Sequence, residues 1–551
     1  MKDKKKQKTL ILSIVAVVTL IALVVGATYA YFKAQGGTGS STEVKVTTYT
    51  TDMLTFTTGN AISLYADQSS FGQEKGSLSG ETFAKATLVA NNKTNEATDN
   101  YYVYFNIENN TFKYTLGEDK PELILTVTGP DGSEVTSLSG LTHTTVQDRE
   151  NKSISGFDVT TTNGLITIAN KKTITATPNA EEQYTLKLTF VNYEGDQTEN
   201  TTSTLSAKVM IQKEVIPQVV SDVCTNGDNL ATCITTLAGK SSASLTKIYH
   251  HDGTFKSDSE ISIEYYDSET AKKAIKTYPA GTVLDANDKS YRYAGSSDQV
   301  NNYVCFGSST TPCPEDNLYR IIGVFGEQVK LIKSDYANSN LLGTDGDYSK
   351  DIYSKVDSTS YKGKLTSVNT YYNHLESYIW GNGELNKTNL NINYITNIGE
   401  EWANKIDTAT WKVGGNAFEN ISNEIPSLVY QNEVVNPLTP SNGETDYISK
   451  IGLMYASDYG FAAVPSAWTS TLYYYDDEAI KSANWMYMGL EEWTISPNTG
   501  GACCSFYVYS YGSVSGSVRC RHAVRPVFYF KSSVSYVEGD GTQNSPIRVG
   551  D

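Results

Sequence analysis

The sequence predicts a chain of several domains: an N-terminal apolar helix, an all-β sandwich and an α+β C-terminal domain. Three observations carry this. Residues from Thr9 to Phe32 hold no charge, the stretch to about residue 215 alternates apolar and polar residues between turn signals, and the remainder mixes helix-like segments with a closing set of strands. At 551 residues the chain is too long for one compact core, since domains run to about 100–200 residues.

The N-terminal element is read from MKDKKKQK followed by TLILSIVAVVTLIALVVGATYAYF. A helix of that run spans roughly 36 Å at about 1.5 Å per residue, enough for a hydrocarbon core of about 30 Å. The lysine-rich head stays on the cytoplasmic side. Residues 1–32 are therefore either an uncleaved membrane anchor or a signal peptide cut after Ala30, where Gly26, Ala27 and Thr28 supply small residues. Either way the rest is exported, which predicts an extracellular or cell-surface location.

Composition narrows the partners. The 44 basic and 61 acidic residues give a net charge of −17, which argues against nucleic acid. Tyrosine, with 39 residues against 16 phenylalanines and 6 tryptophans, suits half-wet sheets and contact surfaces. The five histidines, at 143, 250, 251, 374 and 522, form no HExxH pair. No nucleophile–base pair or phosphate loop stands out, so no catalytic residue is assigned and the chain is not expected to be an enzyme.

Residues 33–215 read as the sandwich. Tyr184, Leu186, Leu188 and Phe190 alternate with Thr185, Lys187 and Thr189, which places one strand face in a core and the other in water. MLTFTTGNAISLYA, YYVYFNI, LILTVTG and LSAKVMIQ repeat the pattern, and about eight such strands favour two packed sheets. His143 reads as a solvated loop residue. The leader ending GATYAYF, the run TFTTGNAISLYA and the closing YTLKLTF and NTTSTLSAKVMIQ together resemble the camelysin and TasA family of exported Gram-positive proteins. That resemblance implies a jelly-roll-like sandwich, release by a dedicated signal peptidase and, for some members, assembly into matrix fibres. The metalloprotease activity attached to camelysin finds no metal-ligand set in these residues.

Residues 216–300 read as a connecting region. Asn229 caps a helix over LATCITTLAG that stops at Gly239. Cys224 with Cys233, and Cys305 with Cys313, are spaced for local disulfides in an exported chain. His250, His251 and Asp252 are the most metal-like cluster, but adjacent side chains on an extended segment point opposite ways, so HDG reads as a turn.

Residues 301–551 read as α+β. LYRIIGVF and VKLIKS make a hairpin around GEQ; YYNHLESYIWGNGELN and the segment through Trp402 and Trp411 read as helical; IGLMYASDYGFAAV reads as strand and NWMYMGLEEW as a short amphipathic helix. Asp345, Asp347 and Asp351 offer oxygens to calcium, although Asp-Gly loops are commonly plain turns; no other cofactor is indicated. Asp476, Asp477 and Glu478 read as a solvated loop.

The stretch before the final strands, WTISPNTGGACCSFYVYSYGSVSGSVRCRHAVRPVFYF, is compositionally apart. From Cys503 to Cys520 it spends five serines, three tyrosines and two glycines, closer to a paratope than to a core. Taking Phe506–Tyr511 and Ser513–Arg521 as two strands, alternation sends Phe506, Val508, Val514, Gly516, Val518 and Cys520 inward. Tyr507, Tyr509, Tyr511, Ser513, Ser515, Ser517, Arg519 and Arg521 then form an outward face suited to a protein or glycan ligand. Cys520 is expected to join Cys503 or Cys504.

NNYVCFG, NLYRIIGVFGEQVKLIK, IGLMYASDYG, NWMYMGLEEWTISPN and AVRPVFYFKSSVSYVEGDGTQNSPI resemble a domain common at the C-termini of surface proteins from gut Firmicutes. The ending is also similar to the C-type-lectin-like domains of retroelement-diversified proteins. This implies that the residues before VRPVFYF are a variable ligand surface, on a fold shared with formylglycine-generating enzymes whose catalytic frame does not align here. The function expected is that of an adhesin-like surface protein; the alternative is a biofilm-matrix or fibre subunit without a specific ligand.

Overall fold

The computed structural model describes residues 51–71, 78–91, 93–267, 272–346, 353–355, 365–367, 370–371, 379–415, 421, 423–439, 444–497, 504–518 and 521–551. The chain divides into two compact units after Val215.

Among the described residues the first unit is a sandwich of ten strands: β1 (Met53–Thr58), β2 (Ile62–Tyr65), β3 (Leu78–Val89), β4 (Ala97–Asn110), β5 (Leu123–Thr128), β6 (His143–Gln147), β7 (Ser153–Asp158), β8 (Gly164–Ala176), β9 (Asn179–Phe190) and β10 (Thr204–Gln212). One sheet runs β1-β3-β9-β5-β7-β6 and the other β2-β10-β4-β8. Alternation explains the strands: on β9, Tyr184, Leu186, Leu188 and Phe190 are buried while Lys187 faces water. Their partners across the core are Val103, Phe105 and Ile107 of β4 and Leu205 of β10. The chain changes sheet between β1 and β2 at Gly59, where a Cβ would lie 2.7 Å from Thr82 Oγ1. His143 is a strand residue, not a loop one. Its Nε2 lies 3.0 Å from Glu134 Oε1 and its ring stands edge-on to Phe157.

The second unit, Ile216–Asp551, includes the region expected to be a connector. Ile248–His251 and Ser290–Tyr293 lie in the same seven-stranded sheet as Leu318–Phe325, Gln328–Lys333, Val527–Tyr529 and Ile451–Gly452, with Tyr303–Cys305 on the edge of Leu318–Phe325. Residues 216–300 are thus built into the C-terminal fold, because their apolar residues Leu230, Ile234, Ile248 and Tyr293 share its main core. The helix Leu230–Lys240 forms as read, with the Asn229 side chain accepting from Thr232 N–H at 2.9 Å. Cys224–Cys233 and Cys305–Cys313 are disulfide-bonded.

Several local expectations fail for tertiary reasons. Trp411 lies on a strand, Ala409–Lys412, paired with Asp446–Ser449. Tyr455 leads into a helix, Ala456–Ala462, rather than a strand; all seven of its residues are buried, so no amphipathic period exists to announce it. The NWMYMGLEEW segment is turns followed by the strand Glu492–Pro497. Asn484 Oδ1 accepts from Met486 N–H and Trp485 Nε1–H donates to Tyr293 O at 2.8 Å, contacts that hold this segment out of a helix. In the expected helix near residue 380, Trp380–Asn382 makes one tight turn and Leu385–Tyr394 a wide π-helical run.

Among the described residues no helix is long and apolar enough to cross a membrane. The Thr9–Phe32 stretch lies outside them.

Candidate functional site

The Tyr/Ser segment folds as the last two strands of a three-stranded sheet: Glu492–Pro497, Cys504–Val508 and Val514–Val518. Tyr507 pairs with Trp493 on one side and Ser515 on the other. The turn between the strands is fixed by four hydrogen bonds. Tyr509 N–H donates to Ser513 O at 2.8 Å and Gly512 N–H to Tyr509 O at 2.9 Å. Tyr459 Oη–H donates to Gly512 O at 2.7 Å, and Tyr487 Oη–H to Ser510 O at 2.6 Å. Gly512 has φ +108°, and a Cβ there would meet Tyr475 O at 2.5 Å, so both conformation and space call for glycine.

The expected inward side is buried at Phe506, Val508 and Val514. The outward side needs correction at Tyr507 and Ser513, which are covered as well. Tyr507 is only 4% exposed: His522 stacks on its ring at 4.0 Å and 14°, with Trp493 against both. Ser513, at 6% exposure, is also buried. Tyr509 and Ser515 are half-buried, and so is Gly516, which was expected inward. Tyr511 belongs to the turn and is 50% exposed. Arg519, Cys503 and Cys520, and the side chains of Ser517, Val518, Arg521 and Cys504, lie outside the described residues.

The tyrosines form a ladder. His522, Tyr507, Tyr509 and Tyr511 follow one another with ring centroids 4.0, 4.7 and 4.7 Å apart, and the last pair is stacked within 15°. The buried end is polar as well as aromatic. His522 Nδ1 lies 3.0 Å from Glu491 Oε2, and burial holds the imidazole below its ordinary pKa against the pull of that carboxylate. At the exposed end, burial against its neighbours, then Tyr509, Asp476 and Glu491, raises the Tyr511 hydroxyl above its ordinary value.

Behind the ladder the fold is braced by buried charge. Arg525 Nε lies 2.7 Å from Glu492 Oε1, and Arg525 Nη2–H donates to Met486 O at 2.8 Å. Glu433 accepts from Ser457 N–H and Oγ–H and, through its other oxygen, from Ser496 Oγ–H at 3.1 Å. Ser496 lies on the first strand of the ladder sheet, so Glu433 ties that strand to the helix Ala456–Ala462.

The other candidate sites resolve as structure. His250 and His251 do point opposite ways: His250 stacks on Tyr291, while His251 is buried, its Nδ1 accepting from Ala286 N–H at 2.9 Å. Asp252 accepts from Thr254, as a turn residue does. Of the calcium set, Asp347 and Asp351 lie outside the described residues, and Asp345 Oδ1 accepts from Asn393 Nδ2 at 2.7 Å. Among the described residues the group with metal-ligand geometry is Cys224, Asp228 and Cys233, whose two sulfurs are bonded to each other. Asp476 ends the tight helical turn Leu472–Asp476, and Asp477 caps Glu478–Ser482.

Sequence reasoning missed His522, Glu491 and Trp493 as parts of the site, and Tyr459 and Tyr487 as its supports. The available signal was the flanking position of Trp493 and His522 around the hairpin. No family model, curated protein or solved structure matches this chain.

Proposed function

We propose that this chain is an exported, adhesin-like surface protein whose C-terminal unit, C-type-lectin-like in character, binds a protein or glycan at the exposed end of the tyrosine ladder. The observation that carries this is Tyr511: a large aromatic ring, 50% exposed, on a turn held by hydrogen bonds from Tyr459 and Tyr487. A rigid exposed tyrosine gives contact area at little ordering cost, which is why such residues dominate binding energy where they occur. The leader-like N-terminus, the acidic surface and the two disulfides fit an exported chain.

The test compares the chain from residue 31 onward with its Tyr511→Ala variant on a glycan array and on immobilised host-surface proteins. The variant is expected to lose about tenfold or more in affinity for whichever ligand the parent binds. Equal binding by the two would remove the ladder end as the site.

A further inference from the structure

Away from the ladder, the interior of the C-terminal unit holds an amine and a carboxyl group placed as reactants. Lys330 Nζ lies 2.5 Å from Asp458 Oδ2, and each side chain is 1% exposed. In the other lysine–carboxylate pairs among the described residues at least one partner is open to water, as in Lys276–Glu424 at 40% and 11% or Lys405–Asp551 at 5% and 93%. Both oxygens of Asp458 are held in place. Oδ1 faces Arg292 Nη1 at 3.1 Å, and Oδ2 also accepts from Tyr455 N–H at 3.0 Å. The rings of Tyr455, Phe325, Tyr529 and Trp411 surround Lys330 Nζ, their centres 4.5, 5.3, 5.5 and 5.7 Å away.

In water a lysine and an aspartate do not condense, because the ammonium has no lone pair and the carboxylate resists attack. Burial works against both charges. Desolvation is the largest influence on Lys330 and pulls its pKa down, so transfer of the shared proton from Nζ to Oδ2 leaves a neutral amine in contact with a carboxylic acid. Fixed contact of well-oriented groups gives effective concentrations of about 10⁵–10⁸ M. Arg292 then faces the oxygen on which negative charge develops as Cγ becomes tetrahedral. Charge stays balanced as well: condensation removes one buried cation and one buried anion together, and Arg292 keeps Asp288 at 2.7 Å. We propose that Lys330 and Asp458 are a modification site, at which the two side chains condense into an amide that joins the strand Gln328–Lys333 to the helix Ala456–Ala462. The Nζ–Cγ bond forms and the Cγ–Oδ2 bond breaks. Oδ2 leaves as water, carrying the carboxyl proton and one proton of the amine, and nothing is oxidised or reduced. The product is a crosslink that reductants leave intact, unlike the two disulfides, and it does not depend on the ligand-binding reading of the ladder.

The experiment incubates the purified, folded chain at neutral pH, then denatures, reduces and alkylates it for tryptic peptide mass analysis. The expected result is a branched peptide in which Ile321–Lys333, uncut after Lys330, is joined to Ile451–Lys481, at the sum of their masses less one water. The branched peptide is expected to be lost in Lys330→Arg, which keeps the positive charge, and in Asp458→Ala. The parent protein decides the matter on its own, so poor folding of a variant does not blunt the test. Trypsin cutting after Lys330 in the parent, with both linear peptides at full mass, overturns the proposal. A missing water on a linear peptide, as when an Asp-Gly pair such as Asp131-Gly132 cyclises, overturns it too. So does a branch that persists in either variant, since the bond then lies elsewhere.

Discussion

Between the two sheets of the N-terminal unit the facing side chains are Leu, Val, Ile, Phe and Ala with two tyrosines, and the buried carboxylate of Glu122 is met by the neutral amides of Gln197 and Asn200. The interior of the C-terminal unit instead holds full charges. Asp458 bridges Lys330 at 2.5 Å and Arg292 at 3.1 Å, and Arg292 reaches on to Asp288 at 2.7 Å, with the three bridging side chains almost wholly buried. Aromatic rings wall this cluster: Tyr455 and Trp411 around Lys330, Phe325 and Phe461 around Arg292. The difference lies in what each interior demands of its sequence. An apolar sandwich tolerates many residues of similar volume, whereas a buried ion network fails when one member is removed.

The sharpest way to break this contrast is Asp458→Ala. It leaves Lys330 and one arm of Arg292 buried without a counter-charge, and a loss of about 3–5 kcal/mol from the C-terminal unit is expected. In the sandwich, Leu188→Ala removes a wholly buried side chain and is expected to cost about 2–5 kcal/mol by leaving a cavity. Denaturant unfolding followed by tryptophan fluorescence tells the two apart, because every tryptophan lies after residue 215. D458A should shift the fluorescence transition, and L188A should leave it in place while shifting the circular dichroism of the β-rich unit. Movement of the fluorescence transition by both variants alike would contradict two independent interiors.

A second contrast is pH dependence. Burial pushes the Glu433 carboxyl from its ordinary 4.5 up to about 7, against the bonds it accepts from Ser457 and Ser496. The folded form then holds a proton that the unfolded form has released, so this group lowers stability as pH rises from about 4.5 to about 7. At ~1.4 kcal/mol per pH unit the change amounts to about 3 kcal/mol. His251 has the opposite slope: burial, then Arg292, depresses its folded pKa well below 6.5, so its contribution is lost as pH falls below the unfolded value. Comparing parent and Glu433→Gln isolates the first term. Gln mimics the protonated acid, so the two should be equally stable near pH 4.5, with the variant ahead by about 3 kcal/mol above pH 7. A constant difference across that range would show that Glu433 does not change protonation there.

These two interiors also explain what could be read in advance. Strand alternation on β9 and the hairpin Leu318–Lys333 were legible because a pattern of single residues decides them. The helix Ala456–Ala462 was not, since burial on every side erases the period that marks a helix. In the candidate site, the burial of Phe506, Val508 and Val514 followed from local alternation. The burial of Tyr507 did not, because the residue that covers it, His522, arrives after the hairpin has ended and pairs instead with Thr370. Only a contact across the fold takes Tyr507 out of the outward face.

The smallest predicted effect probes where a local signal and a distant contact meet in one residue. Asn229 Oδ1 accepts from Thr232 N–H at 2.9 Å, an N-cap readable from sequence, while its Nδ2–H donates to Ser532 O at 2.6 Å, a contact that only the fold supplies. Asn229→Ser keeps a cap acceptor and drops the donor; Asn229→Ala drops both. A cap is worth about 1 kcal/mol and a neutral hydrogen bond a similar amount. If both count, alanine should cost about 2 kcal/mol and serine about 1 kcal/mol in chemical denaturation of the C-terminal unit. Equal losses would mean that the cap adds nothing once the Cys224–Cys233 bond tethers the first turn of this eleven-residue helix, and that the bond to Ser532 alone fixes where the helix begins.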